Sequence, residues 1–130
     1  MPREAHVPVT FRIPGPPQGY IRMNRGGKFS PRAKRSHAYM IEVQVAARKV
    51  GLRLPLEPTE THPVRVDIYP THANRRHPDG DNIFKLVADA LCYGGRGDKF
   101  LHGYFSAPRY AETPDEVGVV VIIGAEEILR

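Results

Sequence analysis

A chain of 130 residues with 41% hydrophobic and 25% charged residues lies in the ordinary range for one globular domain spanning residues 1–130, long enough to bury a single core. Lys and Arg total 19 against 14 acids, and the resulting net charge of +5 favours a polyanionic partner without identifying it. Cys92 is the only cysteine, which excludes an internal disulfide and a cysteine-based zinc site and fits a reducing, cytosolic setting; Met1 to Val9 lacks an apolar signal core and no apolar run approaches a membrane span, so neither secretion nor insertion is expected.

In chain order, Val9 to Ile13 alternates apolar and polar residues and meets Pro14-Gly15-Pro16-Pro17, a first strand closed by a rigid turn. A Gly- and Arg-rich loop or hairpin follows to Ser30. Tyr39, Val43, Ala46 and Val50 then recur at helical spacing ahead of Gly51, which predicts a helix over about Arg35 to Val50 with Gly51 as its stop. Three prolines make Leu54 to Pro63 a connection. Val64, Val66 and Ile68 alternate with Arg65, Asp67 and Tyr69, a strand expected to stop at Pro70, with a polar loop from Thr71 to Pro78. A second helix is expected from Asp81, as N-cap, to Leu91, with Ile83, Phe84, Val87 and Leu91 as its apolar stripe and Gly94-Gly95 as its end. Phe100 to Ala107 reads as a strand, and Val117 to Ile123 as one buried on both faces. The class is α+β, two helices packed on a mixed sheet in a single domain.

Charge is distributed unevenly along this framework. No acid occurs from Ala5 to Ile41, while Arg12, Arg22, Arg25, Lys28, Arg32, Lys34 and Arg35 all fall there, a block suited to phosphate contact or to a solvated loop and helix edge. Tyr20, Phe29 and Tyr39 in the same stretch either stack on exposed bases or pack onto their own domain.

The acids that carry chemistry sit at the start of the second helix. Asp79 and Asp81, one residue apart, point two carboxylates toward one side, within reach of one hard cation. Lys85 and Asp89 follow at intervals of four, on the helix face opposite the apolar stripe, where the three residues form either an ion-pair ladder or the wall of a site. Asp98 lies beyond the helix and the following turn, placed to fold back as a third ligand.

The string Asp79-x-Asp81-Asn82-x-x-Lys85-x-x-x-Asp89-Ala90-Leu91, followed by a turn and Asp98, resembles the signature of the RusA family of Holliday junction resolvases. The opening Pro14-x-Pro16-Pro17, the Arg-rich loop and helix behind it, and the chain length are also similar to that family, so the likeness spans nearly the whole chain. It implies that Asp79, Asp81 and Asp98 bind Mg²⁺, that Lys85 is a catalytic lysine, and that the protein is a homodimer. The implied activity is paired, symmetric nicking of four-way or branched DNA in recombination and repair, in the cytoplasm of a bacterial host and often under phage or prophage coding. The pattern departs from the family after the turn, where an adjacent acidic pair is common and Gly97 and Lys99 flank Asp98 instead.

Phosphodiester hydrolysis at neutral pH needs an activated water and neutralisation of charge on the phosphate, which Mg²⁺ on hard carboxylate ligands assists. Lys85 then acts as a point charge at the scissile phosphate, and Asn82 either orients a carboxylate or phosphate or bonds its own backbone. Asp89, about 12 Å from Asp81 along the axis, suits a salt bridge to Lys85. Arg75 and Arg76 lead into the acids and are read as phosphate contacts, and the flanking His72 and His77 as solvated loop. His102 is read as packed, Cys92 as buried, Asp67 as a surface carboxylate, and Glu112, Asp115, Glu116, Glu126 and Glu127 as solubility or dimer residues. The competing readings are a non-catalytic basic nucleic-acid-binding protein, which accounts for the basic block alone, and a structural phage protein, which accounts for neither feature.

Overall fold

The computed structural model describes residues 8–20, 30–93 and 98–125, in which the alternating segments form strands and the two periodic segments form helices. Strand β1 is Val9–Pro14, helix α1 Pro31–Lys49, β2 Val64–His72, helix α2 Gly80–Cys92, β3 Leu101–Phe105, β4 Arg109–Tyr110 and β5 Gly118–Ala125. The sheet is mixed, in the order β1-β5-β2-β3, with β4 also beside β2. β5 lies antiparallel to both β1 and β2, whereas β3 and β4 run parallel to β2. A parallel neighbour requires a crossover, and α2 supplies it between β2 and β3. The expected α+β architecture is the one observed.

Period-two alternation puts one apolar row after another on a single face. The register aligns Val9 with Ile123 and Val66, Phe11 with Val121 and Ile68, and Ile13 with Val119 and Pro70. Phe11, Ile13, Val66, Ile68, Val119, Val121 and Ile123 form one core with Tyr39, Val43 and Ala47 of α1 and with Ile83, Leu86, Val87, Ala90 and Leu91 of α2, so both helices cover the same face. Each fully buried aliphatic side chain there contributes roughly 1.5–3 kcal/mol. The opposite face carries Thr10, Arg12 and Arg65, exposed, and Val120 and Ile122, only half-buried. This corrects the expectation that the last strand is buried on both faces: its unbroken Val and Ile run reflects a central position in the sheet, not a second helical layer.

Three boundaries differ from the sequence-based reading for local physical reasons. α1 starts at Pro31, not near Arg35, because Ser30 caps it by accepting the Ala33 N–H at 3.0 Å and Pro31 enters with its φ already helical. β2 continues through Pro70 to His72. Ile68 O accepts from Ser106 N–H at 3.1 Å and His72 O from Ala111 N–H at 2.9 Å, so Pro70 turns its missing N–H toward the stretch between β3 and β4, after the Ile68↔Phe105 pair and before Thr71↔Arg109. The strand expected over Phe100 to Ala107 is observed as Leu101–Phe105, ending at this break, and β4 lies beyond it. Gly51 does close α1, at φ 87°, with the Leu52 N–H donating to Ala47 O at 3.1 Å. At the far end of α2, Tyr93 takes the left-handed conformation at φ 50° and donates its N–H to Asp89 O.

Candidate active site

β2 ends at His72, and the segment Ala73–Pro78 delivers the chain to α2. The N-cap is Asp79, at φ −66° and ψ 149°, and not Asp81 as the sequence suggests; Asp79 O accepts the Ile83 N–H at 3.0 Å. The Asp79 carboxylate makes no capping bond and the residue is exposed, so its oxygens are left to solvent or to a ligand. Asp81 lies in the first turn, where the partial positive charge of the helix start favours an anion. Between them Gly80 presses on β3: a Cβ at this position would lie 2.3 Å from Phe105 Cδ2. Only glycine lets the helix begin this close to the strand.

Lys85 Nζ stands 3.3 Å from Asp81 Oδ2, with side chains 56% and 61% exposed. A pair so open to water adds little to stability, and its interest lies in placing a cation beside a carboxylate at a helix start. Asp89, expected as a partner of Lys85, lines a shallow groove together with Lys85, Tyr20, Phe84, Ala88 and Leu101.

A short tether brings α1 up to this point. Ser36 Oγ donates to Gly19 O at 3.0 Å, and the Tyr20 N–H donates to Asn82 O at 2.9 Å, so residues 19 and 20 link the second turn of α1 to the first turn of α2. Gly19 is tight against Pro78, 2.9 Å from a built Cβ to Pro78 Cβ. Arg32, Lys34 and Arg35 are exposed on the first turns of α1, while Arg22, Arg25, Lys28 and Phe29 lie outside the described residues. Arg12, exposed on β1, donates its Nη2 to Asp115 O at 2.7 Å and Val117 O at 3.0 Å, which ties it to the segment before β5. Tyr39 is buried in the core, which settles its alternatives in favour of packing. Tyr20 remains exposed.

Arg75 and Arg76 are exposed ahead of Asp79, and the Arg75 guanidinium sits 5.1 Å from the centre of the Tyr110 ring. His72 is not a solvated loop residue. It is 2% exposed at the end of β2, stacked on His77 at 3.6 Å between ring centres, and burial followed by the neighbouring His77 lowers its pKa to about 4. His77 is bonded through both ring nitrogens, Nδ1 to Pro78 O at 2.8 Å and Nε2 to Tyr110 Oη at 3.0 Å. Nothing in the local sequence signals this cluster, since Tyr110 comes from a strand 33 residues away.

Other side chains fall outside the site. Asp67 pairs with Arg65 at 3.0 Å on the face away from the helices, and His102 is exposed on β3 rather than packed. Glu116 Oε1 accepts from Glu112 N, Thr113 N and Thr113 Oγ1, closing a capping box, while Cys92 is buried as expected. Glu126 and Glu127 lie outside the described residues. Asp98 opens a short 3-10 turn, Asp98–Phe100, directly before β3, and its side chain lies outside the described part of the structure.

Among the described residues no group of three or more His, Cys, Asp or Glu is gathered for a metal ion. The two exposed carboxylates of Asp79 and Asp81 suit Mg²⁺ in kind, because that ion is commonly held by one or two carboxylates and completes its shell with waters and substrate phosphate. No protein-family model matches the chain, and no curated protein matches it. Among the described residues no helix is long and apolar enough to cross a membrane.

Proposed function

We propose that this protein is a Mg²⁺-dependent, structure-selective DNA endonuclease that resolves four-way junctions by paired nicks, as the likeness of its sequence to the RusA family implies. The observation that carries the reading is the start of α2, where an uncapped Asp79, a first-turn Asp81 and Lys85 at 3.3 Å from Asp81 stand together in solvent. Asp79 and Asp81 would hold the metal, with Asp98 as the further ligand that the resemblance implies. Bound Mg²⁺ supplies charge neutralisation at the phosphate and a water of lowered pKa. Lys85 offers a compact cation to charge developing on the phosphate oxygens. Arg75 and Arg76 on one side and Arg32, Lys34 and Arg35 on the other supply the sequence-independent attraction for the backbone.

Incubating the protein with labelled four-way junction and matched duplex, in Mg²⁺ or in EDTA, tests the proposal. Metal-dependent nicking of the junction supports it. Binding without cutting supports a non-catalytic nucleic-acid-binding protein instead. Two nicks in strands of like polarity call for two sites related by a two-fold axis, so a homodimer is part of the proposal. Sedimentation equilibrium at micromolar concentration should return twice the 14.6 kDa chain mass, and a monomer that still makes paired nicks would refute the assembly.

A further inference from the structure

We propose that Tyr110 and His77 form a clamp that fixes the position of Asp79, making them positioning residues for the site. The inference rests on the reading of Asp79 as a metal ligand. After His72 the chain leaves the sheet, and Ala73, Asn74, Arg75 and Arg76 are all exposed before Asp79 is reached. The Arg76 N–H bonds only locally, to Asn74 Oδ1 at 2.8 Å. The segment is held to the body of the protein next to the acid, by two contacts on consecutive residues. Pro78 packs against Gly19, and His77 lies flat on the buried His72, its planes 9° from parallel.

The hydrogen bonds of His77 give this stack a direction. Pro78 O can only accept, so the proton of the neutral ring sits on Nδ1; Nε2 is then an acceptor, and the Tyr110 hydroxyl donates to it. Pro78 O thereby sets the tautomer, and the Tyr110 hydroxyl fixes the rotation of a ring bonded to the carbonyl immediately before Asp79. The same tyrosine ring, 40% exposed, is the surface under the Arg75 guanidinium. One residue therefore meets the proposed phosphate contact with its ring and the proposed metal ligand's support with its hydroxyl, and the two roles are separable by substitution.

Tyr110→Phe keeps the ring under Arg75 and deletes only the hydroxyl, so the fold and the DNA contact are retained. Long-range ¹⁵N–¹H spectra should show His77 protonated on Nδ1 in both proteins, with the Nε2 resonance moved in Tyr110→Phe as its hydrogen bond is lost. Mn²⁺ titration followed by electron paramagnetic resonance, with Mn²⁺ standing in for Mg²⁺, should show binding several-fold weaker in the variant. On a four-way junction kcat should fall about ten-fold with KM unchanged, because a ligand displaced by a fraction of an ångström loses rate and not substrate affinity. Tyr110→Ala, which also removes the surface beneath Arg75, should raise KM as well. Unchanged Mn²⁺ affinity in Tyr110→Phe overturns the clamp. A parent protein that cuts no DNA, yet loses Mn²⁺ affinity on Tyr110→Phe, upholds the clamp and refutes the nuclease reading.

Discussion

The N-cap residues of α1 and α2 share one backbone conformation, Ser30 at φ −66° and ψ 152° and Asp79 at φ −66° and ψ 149°, but only Ser30 turns its side chain back onto the helix. α1 has no acid in its first turn, while α2 places Asp81 there, next to the uncapped Asp79. Asp is as good a capping residue as Ser, so the open carboxylate at α2 is a choice of conformation and not a limit of chemistry. On the proposed function the open acids at the start of α2 are available to a ligand, whereas the start of α1 is closed by its own serine.

The sharpest way to break this contrast is to remove charge from α2. Asp79→Asn or Asp81→Asn should reduce junction cutting to background while leaving binding intact or tighter, since a negative charge facing phosphate is lost; a gel-shift and cleavage series on the same preparation reads both, and normal turnover by either variant would sink the metal-site assignment. Lys85→Ala comes next in size. Removing one stabilising donor from a hydrolytic site typically slows the reaction about 10²–10³-fold, and here the loss should appear in the rate constant more than in affinity. An effect confined to affinity would make Lys85 a phosphate contact and no more.

The smallest effect lies in stability and compares the two caps directly. Ser30→Ala should lower the unfolding free energy by about 1 kcal/mol, the usual worth of a side-chain cap. Asp79→Ala should lower it less in metal-free buffer, because no capping bond is lost and only the attraction of the carboxylate to the helix start disappears. Chemical denaturation of both variants supplies the comparison, and equal losses would mean that Asp79 caps α2 in solution.

The fold was legible wherever a repeat spans several residues. The alternation in β1 and in the first part of β2, and the apolar stripe of α2, gave elements of the correct type because burial on one face of a pleat or helix imposes its own period. What escaped the reading depends on partners distant in the chain. Pro70 looks like a strand end until β3 and β4 are seen to part opposite it. His72 looks like a loop residue until β2 is seen to carry it into the core beside His77. Arg12 looks like part of a phosphate-binding block until β1 brings it to the carbonyls of residues 115 and 117. The start of α1 is written in Ser30-Pro31, ahead of the apolar period, which begins only at Tyr39. In the candidate site the spacing of Asp79, Asp81 and Lys85 carried the reading. Which acid occupies the N-cap position depends on the turn of the backbone ahead of Gly80.

Gly80 also ties the acid pair to a distant position. Every single-base change that replaces it adds a Cβ, and that atom would collide with the Phe105 ring. Size at residues 80 and 105 is therefore coupled: a side chain at the head of α2 needs the Phe105 ring, itself 43% exposed, to turn aside. The close approach of α2 to β3 beside the acid pair thus depends on the setting of an aromatic ring that bears no charge and donates no hydrogen bond.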